Sequence, residues 1–160
     1  MKLESKDLRC TNLVIWNRED NDVENEIVQI YNIQRSTVRV YTEIEELSEM
    51  LLGYNEIEPI PLTEEWLVDK LGFEIWDNSG RHTNEFEDYK RYVLHNVMDG
   101  TSNFEVHYIT SNYGDKPEYS YIASIDEDER INSCVDLEYI HQLQDIYKVF
   151  IGEELTIKEK

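Results

Sequence analysis

The fold is organised around residues 57–67, which run IEPIPLTEEWL. Each proline disfavours a helical conformation at the residue before it, so we expect the first half of this stretch to be extended. Thr63 has the side chain of a helix N-cap, and the two glutamates after it suit the positive end of a helix dipole. Leu62 and Leu67 have the spacing of a hydrophobic staple. The stretch therefore predicts an extended segment followed by a short helix that ends at Gly72.

Strands are predicted on the N-terminal side of this stretch. Residues 13–16 are apolar, and residues 27–33 and 38–41 are rich in β-branched side chains with partial alternation. Residues 34–37, between the last two runs, have the length of a hairpin turn. Three antiparallel strands with one apolar face can hold together, so we expect a small N-terminal sheet here.

A helix is predicted between this sheet and residue 57. Thr42 and Glu45 fit a capping box, in which each side chain accepts a hydrogen bond from the backbone N–H of the other residue. Apolar residues then recur at helical spacing, and Gly53 can end the helix.

An antiparallel meander is predicted on the C-terminal side. Its strands are residues 73–76, 89–95, 104–109 and 119–125, separated by turn residues. Residues 104–109 alternate strictly between apolar and polar, which indicates a strand with one buried face. We expect residues 126–130 (DEDER) to form a charged loop after the last strand.

An amphipathic helix is predicted over residues 135–151, with Gly152 as its C′ residue. Its apolar positions share one helical face: Leu137, Ile140, Leu143, Tyr147 and Phe150.

The whole pattern predicts an α+β fold in a single compact domain, residues 1–160. Within it we expect a small N-terminal β lobe (1–60), a main α+β part (61–152) and a short tail (153–160).

The net charge limits the classes of partner that the protein can be expected to bind. The chain has 15 Lys+Arg against 35 Asp+Glu, a formal charge of −20. Such a field repels nucleic acid and anionic membranes, and it attracts a basic protein surface. The alternative is that the acidity only keeps the protein soluble. The N-terminus lacks the apolar core of a signal peptide and no apolar run has the length of a membrane span, so we expect a cytoplasmic protein.

The sequence contains no pattern that predicts catalysis. P-loop, G-x-G-x-x-G and G-x-S-x-G motifs are absent, and no histidine lies at metal-ligand spacing from another histidine or a cysteine. Lys90 and Arg91 form the one local basic cluster, too small for a nucleic-acid site. Cys10 and Cys134 are far apart and are predicted to be reduced, buried thiols. We expect a binding protein with no cofactor and no metal rather than an enzyme.

Acidic residues beside defined structure are the candidate partner contacts. Glu45, Glu46 and Glu49 are expected on the predicted helix of residues 42–53, and Asp126, Asp128 and Glu129 on the charged loop. The alternative for each is an ordinary solvated charge.

Three segments resemble a small-protein family of phages and prophages in Bacteroidota. Residues 7–14 (DLRCTNLV) are similar to an L-R-I-G-N-x-V opening, residues 57–67 to an internal I-x-P-I-P-L-T-E-E-W-L segment, and residues 139–155 to a V-H-Q-L-Q-N-L-Y…T-G-E-E-L ending. The chain departs from the family at Cys10-Thr11, where Ile-Gly is usual.

This resemblance implies a function in conflict with the host. Small acidic phage proteins without a catalytic site often inhibit host defence, and a carboxylate-rich surface can occupy the cationic channel of a nuclease. The expected function is therefore anti-defence inhibition, for example as an anti-CRISPR protein acting on an RNA-guided, RNA-targeting effector. Two alternatives stay open: a sponge for a nucleotide immune signal, and a phage structural or assembly protein with an exposed apolar patch on the C-terminal helix.

Overall fold

Antiparallel strands make up most of the structure. The computed structural model describes residues 3–17, 26–42, 48–76, 89–97, 102–111, 118–127, 130–131 and 136–158. The chain folds as two compact units, one formed by Met1–Pro61 with Tyr139–Asp145 and the other by Leu62–Glu138 with Ile146–Lys160. The α+β fold class, with antiparallel sheets and a C-terminal helix, is confirmed.

The first unit contains an antiparallel sheet. Its strands in the described ranges are β1 (Leu13–Trp16), β2 (Glu26–Ile33), β3 (Thr37–Thr42), β4 (Ser48–Gly53) and β5 (Ile57–Pro59). They lie in the order β4-β3-β2-β1-β5. The three predicted strands are confirmed, and so is the hairpin turn, in which Gln34 N donates to Thr37 O (2.9 Å).

One face of this sheet holds the core of the first unit. Val14, Val28, Ile30, Val38 and Val40 on it are almost completely buried. Each such side chain stabilises the fold by roughly 1.5–3 kcal/mol. Because side chains alternate along a strand, the residues between these positions point to the opposite face.

The predicted helix over residues 42–53 is wrong. Thr42 ends β3, and Ser48–Gly53 forms β4, which pairs with β3 over six consecutive positions from Thr42↔Ser48 to Thr37↔Gly53. The backbone hydrogen bonds of that ladder, and the burial of Leu52 against the core, outweigh the helix propensity of the sequence. Residues 43–47 lie outside the described residues.

The second unit contains the predicted meander. Its strands in the described ranges are β6 (Glu74–Trp76), β7 (Tyr89–Val97), β8 (Ser102–Ser111), β9 (Glu118–Glu127), β10 (Arg130–Ile131) and β11 (Asp136–Leu137). The sheet order is β10-β9-β8-β7-β6, and β11 pairs with β9. All four predicted strands of the meander are confirmed.

The helical segment after residue 62 is also confirmed, with π-type winding over Trp66–Lys70. Trp66 N donates to the Thr63 hydroxyl (3.3 Å), as an N-cap requires, and Leu67 is fully buried. Gly72 has a φ of +81°, the left-handed conformation that ends a helix and that glycine adopts without strain.

The C-terminal helix, α1, spans Ile140–Ile151. It begins later than predicted, because Leu137 lies in β11 and pairs with Tyr121. Gly152 follows it with a φ of +83°, as expected of a C′ residue. No helix in the described ranges combines the length and the apolar character that a membrane crossing requires.

Candidate functional site

The structure locates two of the six predicted contact residues. Glu45, Glu46, Asp128 and Glu129 lie outside the described residues. Glu49 is exposed and lies on β4, not on a helix. Asp126 lies in β9, where its backbone is opposite Asn103 on one side and Ile131 on the other, so its placement on a loop was wrong.

Glu49 belongs to a surface on the first unit that we call the outer-face patch: Tyr31, Arg39, Tyr41, Glu49 and Leu51. Strand register brings these residues together, because Tyr41 pairs with Glu49 and Arg39 with Leu51. Paired residues of an antiparallel ladder point to the same side, so these four side chains share the face opposite the core. Tyr31 joins them at the bulge of β2 between Ile30 and Asn32.

Aromatic and aliphatic groups form the centre of the patch. The Tyr31 and Tyr41 rings stack with centroids 4.4 Å apart, and Tyr41 is 43% exposed. Leu51 is 55% exposed. Arg39 Nη1 lies 3.6 Å from Glu49 Oε2, and both side chains are about half exposed. Large apolar groups rimmed by charge are typical of protein-binding surfaces.

The Tyr31 hydroxyl is the buried polar group of the patch. Its oxygen is shielded from solvent. Burial, and after it the Glu49 carboxylate, raise the pKa of Tyr31, while the Arg39 guanidinium lowers it, so both charged side chains lie beside this hydroxyl. A neutral hydroxyl in this position can accept a hydrogen bond from an incoming donor.

Most basic side chains in the described ranges contact carboxylates of the same chain, which neutralise their charge. Lys90 Nζ donates to Glu64 Oε2 (2.6 Å), which also accepts from the Tyr92 hydroxyl (2.6 Å). These contacts lower the pKa of Glu64, with the Lys90 hydrogen bond as the largest cause. Arg91 donates to Glu105. Lys90 and Arg91, adjacent in sequence, are therefore each occupied by a carboxylate.

A second group of polar residues, the buried polar cluster, lies in the meander: Arg91, Glu105, His107 and Ser124. Glu105, His107 and Ser124 are each at least 95% buried. Glu105 and His107 occupy alternate positions of β8, so this strand is buried on both faces at its centre, and the prediction of one buried face was wrong there. Burial opposes ionisation of Glu105, but hydrogen bonds with His107 and Arg91 hold its pKa below the usual range.

The cluster does not have the geometry of a nucleophilic relay. His107 Nε2 lies 2.9 Å from Ser124 Oγ and 3.1 Å from Glu105 Oε2. A relay needs the serine and the carboxylate on different ring nitrogens, so that one activates and the other orients the imidazole. Here both groups share one nitrogen, and Ser124 is 2% exposed. The arrangement satisfies buried polar atoms and does not present a nucleophile.

A third group, the N-terminal network, joins the two ends of the sequence: Arg9, Asn12, Gln144 and Asp145. Arg9 Nε donates to Asp145, and Arg9 Nη2 donates to the Gln144 backbone oxygen (2.7 Å). Asn12 Nδ2 donates to Asp145 Oδ1 (2.9 Å). Leu13 N donates to Gln144 Oε1 (2.9 Å).

The N-terminal network takes two residues from each of two segments, 7–14 and 139–155. Thr11, which stands where the resemblance predicts glycine, adopts a φ of +81°. The turn that glycine would favour is thus present with threonine in it. No local pattern in the sequence predicts that the two segments meet.

Metal and thiol chemistry find little support. The described ranges contain no group of three or more His, Cys, Asp or Glu side chains that could hold a metal ion. Cys10 is a free and exposed cysteine, so the prediction of a buried thiol was wrong for it; Cys134 lies outside the described residues. The predicted apolar face of α1 is largely buried, with Leu143 and Tyr147 at 6% exposure or less, so it offers no contiguous apolar surface for assembly.

Comparison with protein-family models, with curated proteins and with solved structures finds no match.

Proposed function

We propose that this chain is an acidic binding protein that inhibits a basic partner in the cytoplasm of a host bacterium. The partner class we favour is a host defence nuclease, in particular an RNA-guided CRISPR effector that targets RNA. The resemblance of residues 7–14, 57–67 and 139–155 to Bacteroidota phage proteins supports that class.

The observation that carries the proposal is the distribution of charge. The chain has a net charge of −20. Six of its described basic side chains contact carboxylates of the same chain: Lys6, Arg9, Arg39, Lys90, Arg91 and Lys148. These six basic groups are thereby occupied, and the excess of Asp and Glu over Lys and Arg leaves carboxylates to face a partner. A nuclease channel built to hold a polyanion is a complementary surface.

The proposal excludes direct contact with nucleic acid and with membranes. Nucleic-acid binding needs uncompensated Lys and Arg to replace counterions at the phosphates. Lys90 and Arg91, the adjacent basic pair, contact Glu64 and Glu105 instead. Inhibition would therefore work by occupying the protein, not by masking its RNA.

A cleavage assay tests this function. A purified RNA-targeting CRISPR effector from a Bacteroidota is given guide and labelled target RNA, with the wild-type chain added in rising amounts at several salt concentrations. We expect inhibition that weakens as salt rises, because exposed charges more than about 8–10 Å apart are screened at physiological ionic strength. No inhibition at any salt concentration would count against the proposal.

Matched charge variants locate the contact. The triple variants Glu45→Gln/Glu46→Gln/Glu49→Gln and Asp126→Asn/Asp128→Asn/Glu129→Gln each remove three of the predicted contacts. The control Glu65→Gln/Asp69→Asn/Glu153→Gln removes the same charge from three exposed carboxylates elsewhere. We expect at least one contact variant to inhibit more weakly than the control. Equal inhibition by all three would reduce the acidity to a solubility feature.

A further inference from the structure

The outer-face patch combines exposed apolar surface, a loose ion pair and a shielded hydroxyl. We infer that this patch docks the basic partner, and that the partner presents a lysine or arginine beside an apolar side chain. The inference rests on the proposed function, because that function supplies a basic partner; it adds where the partner binds and what chemistry it brings.

Exposed apolar side chains provide the apolar contact area of the patch. Tyr41 and Leu51 are 43% and 55% exposed, and strand pairing places them on one face beside Arg39 and Glu49. Both residues are held on paired strands, so little freedom is lost when a partner covers them. Tyrosine is enriched among the residues that carry most of the free energy of protein association, and the exposed leucine beside it adds apolar contact area.

The polar groups of the patch select for a cation. Arg39 and Glu49 are 3.6 Å apart and half exposed, a pair that contributes little and exchanges easily. A partner cation can take the place of Arg39 at Glu49. It can then donate to the shielded Tyr31 hydroxyl, which lies beside Arg39 and Glu49. Satisfying a shielded acceptor in this way favours a donor over an apolar group.

Charge complementarity decides against a second copy of this chain as the occupant. Two chains of net charge −20 repel each other. In the sequence, Glu43, Glu45 and Glu46 precede Glu49 by three to six positions, so the segment that contains Glu49 is rich in carboxylates. A basic surface is attracted to such a segment, and an acidic one is not.

A defined peptide tests the surface without the nuclease. The isotope-labelled full chain is titrated with a synthetic peptide of alternating lysine and leucine, and separately with one of alternating glutamate and leucine, while NMR shifts are followed. We expect shifts centred on Tyr31, Tyr41, Glu49 and Leu51 with the lysine peptide only. Shifts centred on the second unit, or equal shifts with both peptides, would overturn the inference.

Two variants sharpen the result. Leu51→Ser removes the exposed anchor of the patch and should weaken binding of the lysine peptide about fivefold, as expected for loss of one apolar contact. Val149→Ser makes a similar change at a residue 75% exposed on α1 and should leave binding unchanged. If Leu51→Ser binds the lysine peptide as tightly as the wild type does, the proposed docking surface is wrong.

The same variants separate this inference from the proposed function. If the wild-type chain inhibits the nuclease and Leu51→Ser inhibits equally well, the function stands and the docking surface falls. If the lysine peptide maps to the patch but the wild-type chain does not inhibit the nuclease, the surface stands and the anti-defence function falls.

Discussion

The N-terminal network and the buried polar cluster both contain an arginine–carboxylate pair, but they satisfy different groups. In the network, side chains bond backbone groups as well as each other: Gln144 accepts from Leu13 N, and Arg9 donates to the Gln144 carbonyl. In the cluster, the contacts that define it run from side chain to side chain, from Arg91 to Glu105, then to His107 and Ser124.

This difference teaches what each group contributes. Backbone N–H and C=O groups remain whatever the side chains are, so a network that satisfies them cannot be exchanged for apolar residues. Side chains that satisfy only each other can be replaced together, because the polar atoms disappear with them. We therefore expect the network to be harder to replace with apolar residues than the cluster.

Removing one member of the buried polar cluster should have the largest effect. Glu105→Ala takes the carboxylate away from Arg91 and His107 while both stay in the protein. Loss of one partner from a buried ion pair destabilises a protein by about 3–5 kcal/mol. Urea denaturation of the variant and the wild type, with the m-value checked, measures the difference.

Replacing the cluster as a whole sharpens the comparison. We expect the quadruple variant Arg91→Met/Glu105→Leu/His107→Leu/Ser124→Ala to recover most of that loss and to fall within about 1 kcal/mol of the wild type. If the quadruple variant is as unstable as Glu105→Ala alone, the cluster also satisfies groups that remain, and its contrast with the network disappears.

The network should respond in the opposite way. Asn12 is completely buried; its Oδ1 accepts from Arg9 N (2.6 Å) and its Nδ2 donates to Asp145 Oδ1 (2.9 Å). Asn12→Ala should destabilise by about 2–3 kcal/mol, because each buried polar group left unsatisfied costs about 1–3 kcal/mol. Asn12→Leu should not recover this loss.

A surface asparagine provides the control for that experiment. Asn32 is exposed on β2, and Asn32→Ala should change the free energy of unfolding by less than about 0.5 kcal/mol. Recovery of stability in Asn12→Leu would show that the network can be replaced by apolar packing, as the cluster can.

Local signals in the sequence predicted the elements that local interactions decide. The helical segment after residue 62 is determined by three of its own residues: the N-cap Thr63, the buried Leu67 and the left-handed Gly72. The strands of the meander alternate clearly enough to be predicted as well. In both cases the residues that specify the element lie within it.

The strand β4 could not be predicted in this way. Residues 42–53 carry a capping box and helical spacing, and only the ladder with β3 makes Ser48–Gly53 a strand. This difference affects the candidate site. The sequence predicts Glu49 on a helix surface, whereas strand pairing places Tyr41 and Leu51 on the same sheet face as Glu49. Arg9 and Asp145 lie 136 positions apart, so no local pattern indicates that they meet.

A smaller and stabilising effect is expected at Thr11. Its φ of +81° is strained for a β-branched residue, by roughly 1–2 kcal/mol, and glycine adopts it freely. Thr11→Gly loses the hydroxyl contact with Arg9 (3.2 Å) and gains freedom in the unfolded chain, so the net gain should be at most about 1 kcal/mol.

Alanine at the same position separates strain from the lost hydroxyl. Thr11→Ala keeps a Cβ in the left-handed conformation and also loses the contact with Arg9, so it should be less stable than both the wild type and Thr11→Gly. The melting temperatures of the three proteins give the order. A Thr11→Gly variant less stable than Thr11→Ala would mean that the strain is relieved elsewhere in the network.

The smallest effect concerns pH and His141, beside the network. His141 is 1% exposed, and burial lowers its pKa, although Asp145 and Asp7 oppose the shift. Because the folded state favours the neutral ring, this residue contributes stability that is fully present above its unfolded pKa of about 6.5. That contribution is lost as the pH falls below 6.5 toward the lower folded pKa.

Replacing the ring with one that does not titrate should remove this part of the acid sensitivity. His141 stacks on Tyr139 with centroids 5.8 Å apart, and its Nδ1 has no hydrogen-bond partner in the described ranges, so His141→Phe keeps the stack without breaking a bond to that atom. We expect the free energy of unfolding of His141→Phe to fall less between pH 8 and pH 5.5 than that of the wild type, measured in urea at each pH. Asn32→Ala, which removes no titrating group, should keep the wild-type slope. Identical slopes for His141→Phe and the wild type would show that His141 stays neutral, or gains a compensating partner, throughout this range.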